Sequence, residues 1–182
     1  RGEDHMTNSA AQIQLFEALG SSPPRLGHLS LLTDISGEGL SKRLGSLSLK
    51  DLRQEGFQPM AISSLLSKVG TSDAIDIFKN INQIIDDFDI NKFGKSKPKF
   101  DKMELLNLNS KFFQLTNFDD ISNQLNTLDF EITTEFWNLI KGNINTFNDI
   151  KFWWDIVYGK IKTINDDHEF THLALKTLPN DN

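Results

Sequence analysis

The stretch Glu38-Gly39-Leu40-Ser41-Lys42-Arg43-Leu44-Gly45 gathers a hydroxyl, a lysine and an arginine between two glycines. Glycine reaches backbone conformations that other residues avoid, so this reads as a surface loop. Lys42 is a compact cation and Arg43 a planar fork, a pairing suited to anionic oxygens and above all to phosphates. Short basic loops are usually solvated turns, so the neighbouring residues decide the reading. Arg1-Gly2-Glu3-Asp4-His5 is a second polar group, which by its residues alone reads as a charged chain start and surface turn. A third is the run Lys92, Lys95, Lys97, Lys99 and Lys102, interleaved with Phe93 and Phe100. Such lysines can neutralise phosphates along an RNA stem. They can equally form a solvated connector whose phenylalanines anchor in the core, the commoner outcome for charge runs.

The elements that would position these groups are mostly helical. A helix carrying Ile13, Phe16 and Leu19 on one face is expected after Thr7, Asn8 or Ser9, ended by Gly20 and Pro23-Pro24. Residues 26–32 are a short apolar run, read as a buried strand and the only hint of α/β structure. His28 on that run is expected to be a satisfied core histidine. Ser48-Leu49-Lys50-Asp51 has capping-box form, with Gly56 as the stop. A helix follows Pro59 through Ile62, Leu65 and Leu66 to Gly70. Another is expected from Thr71 or Ser72, because Ile77, Ile81, Ile84 and Phe88 recur at helical spacing. Asp101 opens a helix through Leu105 to Phe113; further helices are expected over 133–142, 146–159 and 167–178. Phe147, Ile150, Trp154 and Val157 make one apolar stripe, and Trp137, Trp153 and Trp154 read as packing residues. An Asn- and Asp-rich break over 116–126 is the best internal boundary.

At 182 residues the chain suits one domain or two small ones. With 38% hydrophobic and 24% charged residues it belongs among globular proteins. No apolar run approaches the ~20 residues of a membrane span. Zero cysteines exclude disulfides and cysteine-bound zinc and suit a reducing compartment. A start without methionine suggests a piece of a longer chain. The net charge of −6 is uneven: residues 1–70 hold seven basic and seven acidic groups, 71–116 seven and seven, 117–182 five and eleven. A uniformly basic nucleic-acid binder is therefore excluded, while the lysine run stays a local exception.

Several ordered blocks resemble the glutamyl-tRNA synthetase family, bacterial class I enzymes. They are Arg1-Gly2-Glu3-Asp4-His5 with Thr7-Asn8 and Gln12, then Glu17-Ala18-Leu19-Gly20, Pro24, His28-Leu29 and Leu31, then Leu40-Ser41-Lys42-Arg43. Gly56-Phe57 with Pro59, Lys95-Ser96-Lys97-Pro98, Phe100-Asp101, Gly142-Asn143 and Trp153-Trp154-Asp155 continue the similarity almost end to end. Two positions depart from the family pattern. Gly39 stands where the ATP loop normally begins with lysine, and Ser30 stands where proline is usual.

The resemblance implies a mostly α fold: a small α/β remnant of a class I nucleotide-binding (Rossmann-like) domain over 1–45, a helical stem-contact domain over 46–116, and the first half of a helical anticodon-binding domain over 117–182. It implies a glutamate–tRNA ligase, with ATP as substrate accompanied by Mg2+. Lys42 is the catalytic cation, and Leu40, Ser41, Lys42, Arg43, Asp4 and His5 contact ATP. Arg1 recognises a glutamate carboxylate, and Lys92, Lys95, Lys97 and Lys99 face tRNA. The implied partners are L-glutamate, tRNA(Glu) and also tRNA(Gln), for a cytoplasmic monomer with no bound metal or zinc in this segment and no membrane partner. No His-Ile-Gly-His-like sequence, the family's other ATP motif, occurs in the 182 residues. The segment alone is accordingly expected to form no adenylate. A non-catalytic helical tRNA-binding module is the alternative, and it gives no reason for Lys42 or for Arg1-Gly2-Glu3-Asp4-His5.

Overall fold

Short polar side chains start most of the helices by taking up backbone N–H groups that the first turn leaves unpaired. In the computed structural model, which describes residues 1–40, 48–159 and 167–177, Ser48 Oγ accepts from Asp51 N at 3.1 Å. The Asp51 carboxylate accepts in return from Ser48 N at 3.3 Å, completing the expected capping box. Asn80, Asp101 and Thr133 cap in the same way, accepting from Gln83 N, Met103 N and Phe136 N. The resulting elements are α1 (Met6–Ala18), α2 (Leu49–Gln54), α3 (Pro59–Lys68), α4 (Ile81–Asp87), α5 (Lys102–Leu115), α6 (Phe118–Leu125), α7 (Thr134–Ile140), α8 (Asp149–Tyr158) and α9 (His168–Thr177). The fold is mostly α: the described residues contain three isolated β-bridges and no continuous strand. Two compact units divide it, Arg1–Ile150 and Lys151–Asn182. No helix among the described residues is long and apolar enough to cross a membrane.

The core of the first unit lies between α3 and α5. Leu52, Phe57, Ala61, Leu65 and Val69 pack with Phe100, Leu105 and Leu108, and Ala61, Leu65 and Leu105 are wholly buried. Farther along, Phe113 meets Trp137 edge-on at 6.1 Å, and the Trp137 indole donates to Thr116 O at 3.1 Å. Trp153 and Trp154, in the second unit, are half-buried. Asn109 is buried on α5; its Oδ1 accepts from Gln58 N at 2.7 Å and its Nδ2 donates to Asn145 O. Gly56 ends α2 at φ +86, and its carbonyl accepts from Phe147 N at 2.9 Å. A Cβ there would stand 2.9 Å from the backbone nitrogens of Phe147 and Asn148.

Two expectations are corrected. The helix from Thr71 or Ser72 does not form, because side chains take its N–H groups: Asp73 N donates to Thr71 Oγ1, Ile77 N to Asp76, Phe78 N to Ser64 Oγ and Lys79 N to Gln83. The helix begins only at Ile81. Residues 26–32 form no strand; they are extended and bridged at Leu29, while Leu29 and Leu31 stay 38% and 40% exposed. The 116–126 stretch holds a helix, α6, whose Ile121 and Leu125 are buried one turn apart. Phe16 on α1 and Leu19 just past its end are 40% and 81% exposed.

Candidate active site

The extended segment 29–33 organises the site. On one edge it pairs with the chain start: Leu29 N donates to Arg1 O, and Glu3 N to Leu29 O, both at 2.9 Å. It also pairs with the lysine-rich segment. Ser30 Oγ donates to Lys95 O at 2.9 Å, Thr33 N to Pro98 O at 2.9 Å and Phe100 N to Thr33 O at 2.8 Å. Thr33, 3% exposed, adds a hydroxyl donor to Pro98 O at 3.3 Å. The chain then doubles back. Asp34 N donates to Glu38 O at 2.8 Å, and Thr33 bridges Gly39 antiparallel.

The Asp34 carboxylate fastens this turn by accepting from Ser36 Oγ at 2.6 Å and Glu38 N at 2.9 Å. The Ser36 hydroxyl, seconded by backbone N–H groups, holds the Asp34 carboxyl below its ordinary 3.8. The hairpin therefore delivers Leu40 to a fixed place. Leu40, Gly39, Arg1 and Lys97 line one cavity of about 650 Å³, whose wall is otherwise largely apolar. Two cations on an apolar, concave surface suit an organic anion.

With that geometry, the sequence match becomes decisive: residues 1–107 match the family described as tRNA synthetases class I (E and Q), catalytic domain. The chain belongs to that family. Glutamate–tRNA ligase 2 of Orientia tsutsugamushi (strain Boryong) is 42% identical over 99% of this chain and 41% of its own length. Glutamate–tRNA ligase of Azospirillum brasilense is 45% identical over 84% of this chain and 34% of its own. A solved glutamate tRNA ligase from Elizabethkingia meningosepticum, in complex with its amino acid, superposes with a TM-score of 0.62 at 25% identity, covering 84% of this chain and 36% of that one. The chain thus spans about two-fifths of the length of these curated relatives.

For a chain of the class I (E and Q) family the residues singled out above fall into three groups. Arg1, Leu40 and Lys97 line the shared cavity. The Arg1 guanidinium also donates to Ser9 Oγ and Gln12 Oε1, which ties it to α1. Asp4 and His5 sit beside the cavity on one exposed 3-10 turn, 3.8 Å apart, with His5 Nδ1 3.2 Å from Asn8 Nδ2. Ser41, Lys42 and Arg43 lie outside the described residues.

The lysine run divides. Lys92 pairs with Asp73 at 2.9 Å and Lys102 with Glu55 at 2.6 Å. Lys95, Lys97 and Lys99 are exposed and make no ion pair among the described residues. Phe100 is buried and Phe93 packs on Phe88 at 5.5 Å. His28 is half-buried rather than in the core, and its Nε2 lies 2.8 Å from Ser9 Oγ. No group of three or more His, Asp or Glu that could hold a metal occurs among the described residues.

Thr33 and Ser9 carry much of the positioning and were not readable from the sequence. Each is a lone hydroxyl residue, and Thr33's partner is 65 residues away. A pattern within one window cannot reveal such a pair.

Proposed function

We propose that this chain is part of a glutamate–tRNA ligase and carries half of its ATP site. One observation carries the reading: segment 29–33 meets the chain start at Leu29 and Gly39 at Thr33, around the cavity that Arg1, Leu40 and Lys97 line. The proposed reaction is attack of a glutamate carboxylate oxygen on the α-phosphorus of ATP, with loss of pyrophosphate, and then transfer of the glutamyl group from the adenylate to a hydroxyl at the 3′ end of tRNA, with release of AMP. Arg1 orients glutamate by a planar two-point contact with a carboxylate. Lys42 neutralises the charge that grows on departing pyrophosphate, an effect worth most in the transition state. Ser41, Arg43 and Leu40 complete the loop's hold on ATP, with Asp4 and His5 alongside and Mg2+ accompanying the nucleotide. Gly39 supplies no phosphate-side charge, which leaves Lys42 and Arg43 to provide it.

In this reading residues 1–45 are the remnant of the nucleotide-binding domain, 46–116 the stem-contact region and 117–182 the beginning of the anticodon-binding region. Lys95, Lys97 and Lys99, with Lys92, face the RNA backbone. The partners are tRNA(Glu), with tRNA(Gln) as a second acceptor, in a cytoplasmic monomer. The test is aminoacylation by the full-length protein encoded by this reading frame. Glutamate attached to tRNA(Glu) is expected, with tRNA(Gln) assayed in parallel. Loading of glutamine in place of glutamate, or no loading at all, would overturn the reading.

A further inference from the structure

A second cavity, of about 500 Å³, lies apart from the one just described, between the start of α3, the end of α6 and the 147–148 turn. Its size falls within the ~300–1,000 Å³ of small-molecule sites. Gln58 lines it and is only 5% exposed. The backbone N–H of Gln58 is held by Asn109, yet its side chain neither caps α3 nor pairs with any described group. Buried amides are as a rule hydrogen-bonded. No fully enclosed side-chain nitrogen or oxygen lacks a partner among the described residues, so the Gln58 amide opens into the cavity it lines.

The surroundings define what would satisfy it. Phe57 and Phe147 provide an apolar wall, and Gln124 offers a second side-chain amide without a described partner. Asn148 donates to Gln54 O at 2.8 Å, leaving its Oδ1 as an acceptor. Arg53, in the last turn of α2, is exposed and makes no ion pair among the described residues. A primary amide presents a donor beside an acceptor, which is what a nucleobase edge also presents, and unpaired bases lie flat on aromatic surfaces. The arginine at the mouth then suits a phosphate. A simple anion would leave the amides unused, and a hydrocarbon would bury them unpaired.

We infer that this cavity binds one unstacked nucleotide, its base against Phe57 and Phe147, its edge paired with Gln58, and its phosphate on Arg53. The inference does not rest on ligase activity. The nucleotide can belong to an RNA chain or be free, and the test separates these sources.

Full-length protein is titrated calorimetrically with ribonucleoside 5′-monophosphates, ribose 5-phosphate, inorganic phosphate and a short unpaired RNA oligomer. Saturable binding of at least one monophosphate is expected, with no binding of the two base-free probes. Gln58→Met should weaken it at least about tenfold, and Arg53→Gln by a smaller factor. Lys42→Ala should leave this binding intact, which separates it from the loop site. An oligomer that binds more tightly than any monophosphate, with the same sensitivity to both variants, identifies RNA as the source; equal or weaker binding identifies a free nucleotide. Arg53 is exposed, so Arg53→Gln reads the site even if Gln58→Met fails to fold. Binding unchanged in both variants, equal binding of inorganic phosphate, or no binding of any nucleotide or RNA overturns the inference.

Discussion

Among the described residues Lys68 is the most buried cation, and it ties the end of α3 to the segments that follow. Its ammonium pairs with Asp73 at 2.9 Å and also with Asp87, while Asp73 reaches on to Lys92. Asp87 foremost, then Asp73, raises the Lys68 ammonium above its ordinary 10.5; Lys68 foremost, then Lys92, holds the Asp73 carboxyl below 3.8. The depressed carboxyl stabilises the fold above pH 3.8, and that contribution disappears as pH falls through its lower folded value. The raised ammonium contributes below 10.5 and loses its contribution as pH climbs through the higher folded value. Asp73→Asn should therefore lower Tm at neutral pH, and the gap to wild type should close in acid. A gap that persists unchanged well below pH 3.8 would contradict this ion-pair account. Arg1 invites a separate test, in which Arg1→Lys keeps the charge but loses the fork. KM for glutamate should rise about tenfold or more, for a loss of about 1.4 kcal/mol; an unchanged KM would remove Arg1 from glutamate recognition.

Among the elements, joints carry more information than helices. Gly56→Ala would put a Cβ 2.9 Å from two backbone nitrogens at φ +86. The left-handed conformation alone costs about 1–2 kcal/mol, and neither the Phe147 nor the Asn148 backbone can retreat like a flexible side chain. Urea unfolding should show a loss of at least that size, and a neutral result would mean that the two segments do not touch. Asn109→Leu removes the acceptor for Gln58 N–H and the donor to Asn145 O. Leaving those buried groups unpaired should cost about 1–3 kcal/mol, read as a lower urea midpoint.

Helix starts at Ser48, Asp101 and Thr133 are legible in the sequence because a cap acts within three residues. The 71–80 stretch is not, since its helical apolar spacing competes with side chains of Thr71, Asp76, Ser64 and Gln83 that claim the backbone. α6 is hidden by its Asn- and Asp-rich setting, although Ile121 and Leu125 sit one turn apart. Arg1, Leu40 and Lys97 are legible as members of motifs, but not as the lining of one cavity. Its assembly depends on Thr33 meeting Pro98 and Phe100, pairings between distant residues that local spacing cannot express.

At the scale of the whole molecule, the family assignment and the cavity shared by Arg1, Leu40 and Lys97 are the grounds on which adenylate formation is proposed. In the function proposed here, Lys42 is the residue on which that chemistry turns. The direct measurement is the single-turnover rate of glutamyl-adenylate formation by full-length protein carrying Lys42→Ala, alongside its Kd for tRNA(Glu). The account predicts a rate lower by about 10²–10³-fold, the scale expected for removing one preorganised transition-state contact, with tRNA binding little changed. An adenylation rate equal to wild type would contradict it.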